Sequence, residues 1–124
     1  MKSFWTLVVF QSLPTFLLLG CSESAAEKKA RQADLADKIE SLVELPEGSG
    51  PIESYGRNYQ IEDDGSVRGF YLSFPEPDHA KIGEIRWLES SDDFLTVLDG
   101  GCEYIAVIYN PQSDDVSAEC SGVQ

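Results

Sequence analysis

The two cysteines near the C-terminus, Cys102 and Cys120, are the residues whose type and spacing suggest chemistry most directly. They flank a predicted hairpin, and an antiparallel register that pairs them also pairs Tyr104 with Ala118. Directly opposed residues in a non-hydrogen-bonded antiparallel pair have Cα atoms about 4.5 Å apart, which is within disulfide range. Two buried thiols or two metal ligands are the alternatives. Redox-active pairs more often have the close Cys-x-x-Cys spacing, so a bridge here is expected to be structural.

Hydrolysis by a nucleophile needs a base within reach, and His79 is the one imidazole in the sequence. It follows Pro75 and Pro77 in a predicted surface turn, so we expect no catalytic triad and no enzyme activity. Three carboxylate pairs occur at predicted turns or a helix start, where aspartate serves the backbone, and they lack the alternating ligands of a calcium loop. These pairs are Asp63-Asp64, Asp92-Asp93 and Asp114-Asp115. The sequence predicts no catalytic residue, no metal site and no cofactor.

Aromatic residues on or beside the predicted strands are the remaining chemical feature. They are Tyr55, Tyr59, Tyr71, Trp87, Tyr104 and Tyr109. Core packing is the default, since tyrosine suits half-buried sheet positions. Tyr71 alternates with Phe70 and Leu72, so it is predicted to be the exposed aromatic that could contribute to a contact surface.

The N-terminal segment has the order of an export signal. Lys2 supplies positive charge, and a mostly apolar run from residue 4 to residue 20 follows it. The run is shorter than the roughly 20 apolar residues that a spanning helix needs, so it is interpreted as a signal. It ends in Leu18-Leu19-Gly20-Cys21, which resembles the lipobox of bacterial lipoproteins. The resemblance covers residues 1–21.

The lipobox resemblance implies cleavage before Cys21 and lipid on that cysteine, which holds the mature chain on a membrane. Ser22 follows, and in this family a residue other than aspartate usually directs the lipoprotein to the outer membrane, here to its periplasmic face. An ordinary signal peptide cleaved after Ala25 or Ala26 is the alternative. Export exposes the chain to oxidants, and removing Cys21 from the three cysteines leaves an even pair, which favours the disulfide.

Charge is distributed unevenly along the chain. Without Lys2 the predicted mature chain has 8 basic residues against 22 acidic ones, a formal charge of −14. Residues 44–124 hold four of the basic residues and seventeen of the acidic ones. This balance argues against nucleic-acid binding and indicates a basic protein as the expected partner.

Residues 22–44 lack glycine and proline and favour a helix. Large apolar residues share one face only in its second half, around Leu35 and Ile39, so the first half is predicted to be a solvated stalk. Two pairs spaced i,i+4 are expected to stabilise it, Glu27 with Arg31 and Asp34 with Lys38. The Pro- and Gly-rich segment 45–51 then ends the helix.

Six further segments have strand or turn patterns. Strands are predicted around 57–61, 67–74, 82–89, 102–109 and 116–120, and residues 94–98 are interpreted as a helical turn, a loop or an edge strand. Apolar residues in the segment 102–109 occur at positions that point to both faces of a strand, which predicts a central strand covered on both faces. The predicted fold is α+β, with the N-terminal helix packed on an antiparallel sheet of four or five strands.

The predicted organisation is a signal peptide at 1–20, a lipidated N-terminus with helical stalk and linker at 21–51, and an acidic sheet domain with one disulfide at 52–124. We expect a non-enzymatic, membrane-anchored envelope lipoprotein that acts as a protein-binding or structural module. A periplasmic enzyme inhibitor of the lysozyme-inhibitor kind is the alternative, and a small hydrolase is a less favoured one.

Overall fold

The computed structural model describes residues 23–89 and 101–121, so the predicted signal segment, Cys21 and the predicted turn at 94–98 lie outside the described residues. The elements in chain order are the helix α1 (Ala25–Leu42), a 3₁₀ turn (Ile52–Ser54), and the strands β1 (Gly56–Ile61), β2 (Val67–Leu72), β3 (Ile85–Trp87), β4 (Gly101–Asn110) and β5 (Asp115–Ser121). The strands form one sheet in the order β3-β1-β2-β4-β5. One helix on a mostly antiparallel five-stranded sheet confirms the predicted α+β class.

Helix α1 begins at a side-chain cap, because the Ser24 hydroxyl accepts a hydrogen bond from the Glu27 amide at 3.1 Å. Its first half is exposed, and Ala36 and Ile39 in the second half are buried against the sheet. The predicted i,i+4 ion pairs are not the ones that form. Arg31 pairs with Glu23 at 3.2 Å and Lys38 pairs with Asp114 at 3.4 Å, because these carboxylates also lie within reach of the helix.

Strand β3 corrects the expectation of a purely antiparallel sheet. Strands β1 and β2 form an antiparallel hairpin, but β3 pairs with β1 in parallel, with Arg57 opposite Ile85 and Tyr59 opposite Trp87. Residues 73–84 return the chain to the start of β1. Strand β3 is also shorter than the predicted 82–89, and it lies at the edge of the sheet.

The returning segment is held against β1 by two close contacts. The Asn58 side-chain oxygen accepts a hydrogen bond from the Ala80 amide at 2.8 Å, and Asn58 is fully buried. A Cβ built on Gly56 would lie 2.2 Å from the Ala80 carbonyl oxygen. Only glycine therefore allows the two backbone segments to approach this closely.

The Cys102–Cys120 disulfide is present, as predicted, with Cα atoms 4.5 Å apart. The predicted hairpin register is wrong above the bridge, where Val107 is opposite Ala118. Gly101 and Ser121 keep the expected pairing, and an irregularity between Gly101 and Ile105 absorbs the offset. A bulge of this kind adds residues to one strand only, so it changes the register without breaking the hairpin.

Apolar residues cover both faces of the sheet, in two separate clusters. The helix side contains Ile39, Tyr59 and Tyr71, and the other side contains Phe70 and Leu72. The predicted exposure of Tyr71 is wrong: it is 0% exposed, because α1 covers its face.

Strand β4 also departs from prediction. It is not covered on both faces along its length, since Ala106 is exposed and Ile108 is 52% exposed, while Ile105, Val107 and Tyr109 are buried on the helix side. The apolar cluster on the other face includes Tyr104 of this strand but does not extend to Ala106 and Ile108, so burial there is one-sided.

Candidate protein-binding groove

A polar cluster between α1 and the sheet fixes the position of the helix. Glu40 on α1 accepts a hydrogen bond from the Tyr59 hydroxyl at 2.9 Å and forms an ion pair with Arg57 at 3.1 Å. The Tyr59 and Tyr71 hydroxyl oxygens are 2.6 Å apart. The Arg57 side chain also donates to the Ile52 carbonyl oxygen at 2.9 Å, which ties the 3₁₀ turn to the same cluster.

The chemistry of the carboxylate sets the direction of these hydrogen bonds. Ionised Glu40 can only accept, so the single Tyr59 hydroxyl proton goes to Glu40 and the Tyr71 hydroxyl must donate to Tyr59. Burial raises the pKa of Tyr71 to about 12 and also raises the pKa of Tyr59. Both phenols are therefore neutral at physiological pH. In this arrangement they act as hydrogen-bond donors between the sheet and α1.

A surface groove lies between the exposed half of α1 and strand β3. It has a volume of about 660 Å³. Its lining residues are Ala25, Lys28, Lys29, Gln32, Ala33, Ala36 and Asp37 on the helix side and Ile85, Arg86, Trp87 and Glu89 on the sheet side. We call this feature the edge groove. Alanines on the helix wall leave the space open, since each presents only a methyl group.

Strand β3 supplies the floor of the edge groove, and its outer backbone edge is paired with no other strand of the described ranges. The Arg57 backbone amide donates to the Glu84 carbonyl oxygen at 2.9 Å, and the Leu88 backbone amide donates to the Tyr59 carbonyl oxygen at 2.7 Å. These bonds direct the polar groups of alternate residues, 84, 86 and 88, toward β1, so the backbone groups of Ile85 and Trp87 point away from the sheet.

The side chains on the floor of the edge groove are apolar. Ile85 is 38% exposed, and Trp87 is half-buried against Tyr59, with ring centroids 5.2 Å apart. Ile82, just before the strand, is exposed as well. An apolar floor beside a free strand edge is a surface that can accept another segment of polypeptide.

Cations without an ion-pair partner are concentrated at the edge groove. Eight basic residues lie in the described ranges 23–89 and 101–121, and five of them form ion pairs with carboxylates there. The remaining three are Lys29, Lys81 and Arg86, and two of these line the groove. Lys28 also lines it and pairs with Glu89 at 3.8 Å. The lining residues include three cations and two anions, so this site is locally positive in a strongly acidic chain.

Acidic side chains gather at one end of the sheet, where the β1–β2 and β4–β5 turns lie together. In the first turn the Asp64 carboxylate accepts from the Ser66 amide at 2.9 Å and from its hydroxyl at 2.6 Å. In the second, Asp114 accepts from the Tyr109 hydroxyl at 2.7 Å. These hydrogen bonds, with Lys38 contributing at Asp114, lower the pKa of both carboxyl groups. The aspartates thus stabilise turns, as expected from sequence.

The other residues considered for chemistry are placed as follows. His79 is half-buried, its Nδ1 lies 2.8 Å from the Pro77 carbonyl oxygen, and its ring packs edge-on against Phe70 at 5.4 Å. Asp92 and Asp93 lie outside the described residues, as does Cys21. Within the described part of the chain, no group of three or more potential metal ligands comes together, and no helix is long and apolar enough to span a membrane.

No family model, no curated protein and no solved structure matches this chain.

Sequence reasoning missed the edge groove. The available signal was the set of small residues Ala25, Ala33 and Ala36, which share a helix face, but the first half of the helix, which contains Ala25, is predicted to be a solvated stalk. What the pattern does not contain is the parallel placement of β3 beside β1, which brings Ile85 and Trp87 next to that face.

Proposed function

We propose that this chain is a non-enzymatic, lipid-anchored protein-binding module of the cell envelope. The observation that carries the proposal is the edge groove, in which an apolar floor, a strand edge and two cations lie together; among residues 23–89 and 101–121 the edge is unpaired and the two cations have no ion-pair partner. The lipobox resemblance at Cys21 supports the anchor and the envelope location, on the periplasmic face of the outer membrane. Among the described residues, His79 lies beside a backbone carbonyl and an aromatic ring, which gives no support to a hydrolase.

Affinity capture from envelope extract with matched variants of the full chain tests this function. Ala33→Gln places a larger side chain in the groove, whereas Ala30→Gln makes the same change on the same helix outside the groove lining. Both alanines are exposed, so neither change is expected to alter folding. We expect wild type and Ala30→Gln to retain a common protein that Ala33→Gln loses. Identical recovery by all three proteins would contradict the proposal.

A basic protein partner remains the prediction from the net charge, and an inhibitor of a cationic enzyme remains the alternative function. The acidic end of the sheet supports both, since its turns hold Glu62, Asp63, Asp64, Asp114 and Asp115 against the paired cations Lys38 and Arg68. Lysis of bacterial cells by lysozyme, measured with and without the full chain, tests the inhibitor alternative. Unchanged lysis at a molar excess of the chain would remove it.

A further inference from the structure

We propose that the edge groove binds an extended acidic segment of a partner protein, which adds to the sheet as a strand beside β3. This inference rests on the proposed protein-binding function and specifies the conformation and charge of the bound segment. Strand addition uses backbone hydrogen bonds for affinity and alternate side chains for specificity. The three requirements are a free edge, room for side chains and a matching charge.

In the part of the chain that the structure describes, the free edge is provided by the outward backbone groups of Ile85 and Trp87. Because the Glu84 carbonyl and the Leu88 amide are committed to β1, the register of the outward groups is fixed before a partner arrives. An incoming strand would exchange hydrogen bonds with Ile85 and Trp87 along one of its own edges. Only one of its two alternating sets of amide groups can therefore face β3.

Space for the side chains of an incoming strand lies beside α1, which forms the helix wall of the groove. The lining of the groove extends along α1 from Ala25 to Asp37, which at about 1.5 Å per residue is about 18 Å. An extended strand of about five residues has this length. Side chains on the helix-facing side of such a strand would pack between the alanines of the wall and the floor formed by Ile85 and Trp87. Small or β-branched apolar residues suit these positions.

The charge of the groove selects an acidic segment. Lys29 and Arg86 line it and form no ion pair with other described residues, although the chain contains 22 acidic side chains. A carboxylate on the side of an incoming strand that faces away from the helix could pair with Arg86, and a carboxylate beside the helix wall could pair with Lys29. Basic residues on edge strands also protect against edge-to-edge aggregation, and this protective role is the competing explanation that the experiment must separate.

A second copy of this chain fits the edge less well than a different protein that carries a local acidic segment. Antiparallel pairing of β3 with its own copy would centre on Arg86, which would place two guanidinium groups opposite each other. Each predicted mature chain also has a formal charge of −14, which adds long-range repulsion between copies. Both the local repulsion between guanidinium groups and the long-range repulsion between chains favour a different protein as the source of the strand.

The test uses synthetic hexapeptides and the full chain in detergent micelles. The probe is a fluorescently labelled, end-blocked peptide in which valine alternates with glutamate, and binding is measured by anisotropy. We expect saturable binding, with slowed amide exchange confined to the segment containing Ile85 and Trp87. N-methylation of one alternating set of peptide amides should weaken binding about tenfold, while methylation of the other set leaves it unchanged. This control leaves the protein untouched.

Protein variants test the edge and the charge separately. Ile85→Pro removes an outward amide and should abolish binding, whereas Ile85→Val keeps the amide and should not; an outward-facing edge position tolerates proline. Arg86→Glu should weaken binding of the glutamate peptide about fivefold and strengthen binding of the lysine-for-glutamate peptide. Lys81→Glu makes the same change of net charge outside the groove lining and should change binding less than twofold.

Three outcomes would overturn the inference: equal binding of the glutamate and lysine peptides, equal effects of methylating either amide set, or no peptide binding at all. A dimer that Ile85→Pro dissociates, found without peptide binding, would assign the edge to a second copy and would also overturn it. Failure here is distinguishable from failure of the proposed function, because groove-dependent capture from envelope extract is measured with Ala33→Gln and Ala30→Gln and needs no strand addition.

Discussion

The hydrogen-bond chain from Tyr71 through Tyr59 to Glu40 makes a quantitative prediction about helix attachment. Tyr59→Phe removes a charge-assisted hydrogen bond to Glu40 and leaves the buried Tyr71 hydroxyl without its Tyr59 partner. Bonds to charged groups contribute about 1.5–3 kcal/mol, and an unsatisfied buried hydroxyl costs about 1–3 kcal/mol. We therefore expect Tyr59→Phe to lower the free energy of unfolding by about 3 kcal/mol.

Tyr71→Phe is expected to have a smaller effect that depends on its background. In the wild type it removes a neutral hydrogen bond at a cost of about 1 kcal/mol, because Tyr59 can still donate to Glu40. In a Tyr59→Phe background the same change removes an unsatisfied hydroxyl and should be neutral or stabilising. The double variant is then destabilised by about 2 kcal/mol, which is less than the sum of the two single effects.

Urea unfolding of the four proteins measures this coupling. The reasoning is refuted if Tyr71→Phe costs about 1 kcal/mol in both backgrounds, or if Tyr71→Phe costs more than Tyr59→Phe. An alkaline titration adds an independent check. Burial raises the pKa of Tyr71 from 10.0 to about 12, so its neutral form is favoured in the folded state. That contribution is complete below pH 10 and is lost as the pH rises toward 12, and Tyr71→Phe should remove this part of the pH dependence.

Three further predictions concern the anchor, the bridge and the acidic surface. Cys21→Ala should release the chain from membranes on fractionation, and an unmodified Cys21 peptide from a wild-type chain that is still membrane-bound would contradict lipidation. Reduction of the Cys102–Cys120 bridge should lower the free energy of unfolding by about 3 kcal/mol, because the bridge closes a loop with a sequence separation of 18. Urea titrations with and without reductant measure this difference. Free thiols at both positions in envelope-purified protein would rule out the bridge. The melting temperature should rise with moderate salt or on acidification from pH 7 toward pH 5, because the carboxylates repel one another. Below pH 3.8 it should fall, since the lowered pKa values of Asp64 and Asp114 give stability only while these groups are ionised. A steady decrease with sodium chloride would argue against this account, and a rise with calcium alone would indicate a specific site.

Local patterns in the sequence were sufficient for the element types and for the disulfide. The capped, glycine-free segment around Ala36 and Ile39 forms the helix, and the hairpins form where turn residues separate alternating runs. Alternation also separated Tyr71 from Phe70 correctly, since they lie on opposite faces of the sheet. These features depend on neighbours in sequence, which is why periodicity finds them.

Long-range placement was not available from the same patterns. Alternation assigns Tyr71 to a face but does not reveal that a helix covers that face. The parallel pairing of β3 with β1 depends on the return path of residues 73–84, and the candidate groove depends on that pairing. The β4–β5 register changes at a bulge near Gly101, which an uninterrupted alternation does not anticipate. Each miss concerns a contact between elements.

The contact between Gly56 and Ala80 has a consequence for the order of folding. The Ala80 amide can reach Asn58 only after β1 has formed, and its carbonyl can approach only a backbone without a Cβ. We infer that the returning segment docks late, after the β1–β2 hairpin, because its contacts span more than twenty residues of chain. The amide of Ala80 should exchange with solvent faster than those within the hairpin. With Gly56→Ala, the β1–β2 hairpin would still form, but the added Cβ would clash with the Ala80 carbonyl group and prevent the returning segment from docking beside β1.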